Sequence, residues 1–164
     1  MSEEGASASA TDQPAWAFSG MTVRDLPEVL AIERRSFPNP WSGGLFLQEL
    51  RAPFSRVVLA RPCAVTPAPV AGYLCRWLVA DEVHVLNVAV DPAERRRGLG
   101  RRLVERVIDE GRACHARLLT LEVRRGNEPA CALYAATGFT EVGVRRHYYG
   151  RDEDALIMQL VLRA

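Results

Sequence analysis

Apolar and polar positions alternate along almost the whole chain, and the period of that alternation changes from segment to segment in a way that predicts the elements. Residues 1–16 carry Ser, Ala, Glu and Gly with nothing to bury, which predicts a flexible tail ahead of one domain over 17–164. A strand near Phe18–Val23 leads into a helix whose start has Asp25 and Glu28 at capping-box spacing, with Leu26, Val29, Leu30, Ile32 and Phe37 on one face. A second helix is predicted from Ser42 to Arg51, then strands at Ser55–Ala60, Val70–Val79 and Val83–Val90, with a Pro-rich loop Arg61–Pro69 between the first two. Leu99, Leu103, Val104, Val107 and Ile108 form one stripe of a long helix at Gly98–Cys114. A strand at Leu118–Val123, a helix at Asn127–Thr137, and strands near Phe139–Tyr148 and Asp154–Leu162 complete the chain. The order β-α-α-β-β-β-α-β-α-β-β predicts an α/β (α+β) domain: a mixed, mostly antiparallel sheet of about seven strands flanked by about four helices.

Composition narrows the function classes. The 164 residues fit one domain, and 48% apolar with 25% charged residues is ordinary for a chain that folds. A net charge of +1 gives no global attraction to nucleic acid, so any basic site must be local. All 21 basic residues are arginine, which excludes a Schiff-base or P-loop lysine. Cys63, Cys75, Cys114 and Cys131 show no ligand-like spacing with His84, His115 or His147, so no metal is expected and the cysteines read as small core residues. Glu3 and Glu4 argue against a signal peptide and no apolar run is long enough to span a bilayer, which makes a reducing cytoplasm the expected compartment.

The most informative stretch is the apolar run Val83–Val90, followed by Asp91-Pro92 and then Arg95-Arg96-Arg97-Gly98-Leu99-Gly100 at the start of the long helix. Gly98 and Gly100 remove side chains where a ligand must approach the backbone, and the first N–H groups of a helix form an anion site. Arg95, Arg96, Arg97, Arg101 and Arg102 add charge suited to phosphates. Neither a P-loop nor a dinucleotide fingerprint fits. Arg95-x-x-Gly98-x-Gly100 resembles the acetyl-CoA signature of the GNAT superfamily, Arg/Gln-x-x-Gly-x-Gly/Ala. The resemblance implies that the backbone of the Arg95–Gly100 turn, Leu99 included, holds the pyrophosphate of coenzyme A. It further implies that Val88, Ala89 and Val90 hydrogen-bond the pantetheine arm, and that an amide there polarises the thioester carbonyl.

The second cluster joins Glu122, near the end of an apolar strand, to Asn127 as a helix N-cap, Tyr134 two turns along, and Gly138 at the helix end. Taken singly, the glutamate reads better as a solvated charge or arginine partner and the tyrosine as core; together they gain weight. Acetyl transfer to an amine requires a base for the ammonium and an acid for the departing thiolate. A carboxylate suffices for an α-amine of pKa ~8, and a phenol of pKa ~10 can protonate a thiolate whose acid lies near ~8.5. The pattern of Asn, then a helix with Tyr, then Gly-Phe is similar to that of GNAT enzymes.

Within the superfamily the chain resembles the RimI type, which acetylates the N-terminal alanine of a small-subunit ribosomal protein. Phe37-Pro38-Asn39-Pro40-Trp41-Ser42, Asn87–Pro92, Leu121–Arg124, Arg146-His147-Tyr148-Tyr149 and Glu153–Met158 carry this likeness, which covers Met21 to Leu162. It implies Glu122 as general base, Tyr134 as general acid, Asn127 as a cofactor contact, and Trp41, Tyr148 and Tyr149 as walls of the acceptor groove. Gly126, where Ser or Ala is usual, and the Arg61–Pro69 loop depart from the pattern. The expected partners are acetyl-CoA as cosubstrate and a peptide or protein N-terminus. Two alternatives remain at this level: a small-amine acceptor, and a non-catalytic acetyl-CoA or RNA-binding module that uses the arginines.

Overall fold

The computed structural model of the protein describes residues 15–162. Most of the expected tail therefore lies outside the described residues. Seven strands form one sheet: β1 (Trp16–Gly20), β2 (Ser55–Pro62), β3 (Gly72–Val79), β4 (Glu82–Val90), β5 (Leu118–Arg124), β6 (Thr140–Gly150) and β7 (Glu153–Val161), in spatial order β1-β2-β3-β4-β5-β7-β6. Every neighbouring pair is antiparallel except β4 and β5. Four α-helices cover the faces: α1 (Leu26–Ser36), α2 (Gly43–Arg51), α3 (Leu99–Ala113) and α4 (Glu128–Ala136). The expected architecture is the observed one, and most boundaries fall within two residues of their predicted positions. The first strand opens earlier, at Trp16, because that indole has a core to enter.

The sheet separates two cores. On β3, Leu74 packs against the α3 side, while Tyr73 and Cys75 face α1 and α2. The α3 stripe is buried as its 3.6-residue spacing demands, with Leu99, Leu103, Val104 and Val107 each 1% exposed. On β4 the phase of the alternation changes. Val83 and Val85 face α3, but beyond them Val88 and Val90 do, while Leu86 and Ala89 turn to α1. The cause is a β-bulge: Arg76 pairs with Val85 and Cys75 with Asn87, so Leu86 is an extra residue.

Two local expectations are corrected. Asp25 does not cap α1 with Glu28. Its carboxylate accepts from the Thr22 N–H at 2.8 Å, one turn earlier, and Glu28 accepts instead from the Val70 N–H at 2.7 Å. Of the four cysteines only Cys75 is fully buried. Cys63 and Cys114 are exposed because they fall in a loop and at a helix end, where no apolar neighbour closes over them.

Candidate active site

β4 and β5 pair over four residues each, from Glu82↔Leu118 to Val85↔Leu121, and then part. The bulge at Leu86 begins where the pairing stops. The widening gap is a cleft of about 470 Å³, bounded by Leu86–Val88, Leu121–Arg124, the end of α1 with its following loop, α4, and the β6–β7 hairpin. From Leu86 onward the side of β4 that faces β5 has no strand partner, so its backbone groups are open to a ligand.

Glu122 projects into this cleft while Leu121 and Val123 enter the core, as strand alternation requires. Its Oε1 accepts from Arg145 Nε at 2.8 Å, so β6 supplies its counter-charge. Tyr134 lines the same cleft from α4, its ring edge-on to Phe139 at 5.7 Å. Burial, followed by the neighbouring Tyr149 and Cys131, lifts the Tyr134 phenol well above its ordinary range. A phenol so placed keeps its proton at neutral pH. Asn127 Oδ1 accepts from the Ala130 N–H at 3.2 Å, the cap expected of it, and also faces the cleft. At the other end of α4, Gly138 (φ 105°) completes a Schellman turn in which Phe139 N–H donates to Tyr134 O. That turn fixes the helix end carrying Tyr134.

The Arg95–Gly100 turn lies beyond the end of β4. Gly98 has φ 81°, a conformation that glycine adopts freely, and no side chain caps α3 there. The first N–H groups of α3 thus keep their donors for a ligand, and the residues present fit a pyrophosphate. The arginine side chains are largely engaged: Arg97 with Glu94, Arg101 with Glu105, and Arg95 with Val90 O and Ser36 Oγ. Leu99 is buried, so only its backbone can serve there. Val88 lines the cleft, and Ala89 and Val90 carry β4 on towards the turn.

Trp41 and Tyr149 line the cleft from opposite sides. Tyr148 does not line it. It is 53% exposed, packed edge-on to Tyr149 at 5.0 Å with the Arg145 guanidinium over its face. Sequence reasoning missed Glu33, a fully buried carboxylate at the cleft, and missed two ion pairs that tie β5 to the β6–β7 hairpin, Arg145 with Glu122 and Arg124 with Glu153. A signal for Glu33 does exist, since it follows Val29 by four residues and sits on the apolar stripe of α1.

A family model described as Acetyltransferase (GNAT) family matches residues 26–139. The chain belongs to the GNAT family of acetyltransferases. It is 38% identical over 146 residues to the [ribosomal protein bS18]-alanine N-acetyltransferase of Escherichia coli K12, covering 87% of this chain and 95% of that one. The same enzyme of Salmonella typhimurium LT2 is 38% identical over 143 residues, covering 85% and 93%. The crystal structure of the ribosomal-protein-S18-alanine N-acetyltransferase from Escherichia coli superposes with a TM-score of 0.82 at 34% identity, covering 92% of this chain and 96% of that one. This GNAT chain is therefore an N-acetyltransferase in fold and family, and acetyl-CoA is the acyl donor of that family. Among the described residues no helix is long and apolar enough to cross a membrane.

Proposed function

We propose that this GNAT enzyme acetylates the free α-amine of a protein N-terminus, with the N-terminal alanine of ribosomal protein bS18 as its acceptor. The observation that carries the reading is one cleft holding a carboxylate, Glu122, and a proton-retaining phenol, Tyr134, on elements that both reach the open edge of β4. The 38% identity to enzymes named for the bS18 alanine, over 85–87% of this chain, supports the choice of acceptor.

Acetyl-CoA, when bound, supplies a thioester carbonyl activated for attack by an amine. The free N–H groups of the α3 N-terminus at Gly98–Arg101 and the helix dipole hold the pyrophosphate. The unpaired edge of β4 at Val88–Val90 hydrogen-bonds the pantetheine arm, and one of its N–H groups donates to the carbonyl oxygen where charge develops. Asn127 borders the same path. Glu122 takes the ammonium proton, directly or through water, as the amine attacks. Tyr134 returns a proton to the departing sulfur. Trp41 and Tyr149 confine the acceptor chain, with Tyr148 buttressing Tyr149.

The test is coenzyme A release with acetyl-CoA and a short peptide beginning Ala-Arg, run beside the same peptide with its N-terminus blocked. Release with the free peptide alone is expected. Release with small amines but with neither peptide would overturn the acceptor assignment.

A further inference from the structure

Three carboxylates line the cleft: Glu33, Glu122 and Glu153. Two of them are matched by cations, Glu122 by Arg145 at 2.8 Å and Glu153 by Arg124 at 2.5 Å. Glu33 is 1% exposed and has no cationic partner among the described residues. Its oxygens accept instead from the Trp41 N–H at 2.9 Å, from Asn87 Nδ2 at 3.0 Å and from the Tyr73 hydroxyl. All three donors converge on one carboxylate that no arginine reaches among the described residues. Burial, with the hydrogen bond and charge of Glu33 next, lifts the Tyr73 phenol far above its ordinary range, so the tyrosine keeps its proton and donates it in that hydrogen bond.

Burying a charge without a counter-ion costs stability that a neutral residue of similar shape would not cost. Burial alone does not mark a site. Glu49 is also buried, held by Ser55 and Trp77, and lies away from the cleft. Glu33 differs in its place, behind the wall formed by Trp41 and the bulged segment of β4.

We propose that Glu33 is a specificity-determining residue whose uncompensated negative charge selects an acceptor arriving as a cation, a primary ammonium, and releases the neutral amide formed from it. The proposal rests on the amine-acceptor reading above and adds the group that recognises the amine before it is deprotonated. At 1% exposure Glu33 acts by its field and not by contact. Acetylation removes the positive charge, so the product loses the attraction that held the substrate.

Binding, without turnover, tests this. A peptide beginning Ala-Arg is titrated onto the protein with coenzyme A present, beside its des-amino form (propionyl in place of alanyl) and its N-acetylated form. The wild-type protein is expected to bind the free amine about tenfold more tightly than either neutral form, the scale of one partly screened charge pair. E33Q keeps the hydrogen-bonding shape, since the Asn87 amide can turn over and the Tyr73 hydroxyl can rotate. It is expected to abolish that preference, to leave neutral-peptide and acetyl-CoA affinities within about twofold, and not to lower Tm. Equal binding of amine and des-amino peptides by the wild-type protein overturns the proposal without any variant. So does a preference that survives in folded E33Q, or a variant that weakens all three peptides alike. If no peptide binds, the peptide reading falls and the same comparison is made with a primary amine and the alcohol of its skeleton, where equal binding again overturns the role of Glu33. Ammonium selection without coenzyme A release would leave Glu33 in place and refute the catalytic reading alone.

Discussion

Tyr134 combines two properties that one side chain rarely has together: a ring packed into the α4–sheet core and a hydroxyl at the cleft. Removing only its oxygen leaves the packing intact. Tyr134→Phe is therefore expected to lower kcat by about a hundredfold or more, the scale of a lost general acid, with acetyl-CoA affinity unchanged. Steady-state kinetics with direct titration of acetyl-CoA checks both halves. Glu122 and Tyr134 are legible in the sequence because each sits in a short motif whose spacing sets its direction, a strand end and a capped helix. Arg145 is not legible in that way. It reaches Glu122 from β6, a strand that is not even adjacent to β5 in the sheet, and nothing local in the chain announces the pairing. Glu33 falls between the two cases, since its position on an apolar stripe is visible but two of its three donors, Tyr73 and Asn87, come from distant strands.

The elements themselves were readable from period and punctuation, and the α3 stripe is the clearest instance. The β-bulge was not readable, because Val83–Val90 is almost wholly apolar and a one-residue phase shift leaves no trace in such a run. Yet that shift turns Asn87 towards α1 and begins the opening of the cleft. The turn before α3 makes a further element-scale prediction. A Cβ at Gly98 would meet nothing within 4 Å, so substitution there is opposed by the backbone conformation alone. Gly98→Ala is expected to cost about 1–2 kcal/mol in denaturant unfolding and to weaken acetyl-CoA binding as the turn relaxes. Calorimetric titration beside an unfolding curve would measure the two effects.

At the scale of the molecule, two cores share one sheet, and the α1–α2 core contains groups that resist ionisation. Burial pushes the Cys75 thiol up to about 12 from 9.0 and lifts the Tyr73 phenol further still. An unfolded chain releases these protons earlier than the folded one does, so this contribution is complete below pH 9 and is lost as pH rises from there towards 12. Unfolding free energy is expected to fall across that alkaline window, and Cys75→Ala should flatten the fall, as denaturant curves at successive pH values would record. A mostly antiparallel sheet of about seven strands could be anticipated from the sequence, but its spatial order and the parting of β4 from β5 could not, since both depend on which strands pair and where pairing stops. That parting makes the sheet two blades riveted along four residue pairs, with a raw edge facing inward. Unpaired strand edges on an outer rim invite other chains. Here the rim is recessed inside the molecule, facing the cleft instead of the surface, so the sheet keeps a vacant row of backbone donors and acceptors with no strand of the described residues alongside it.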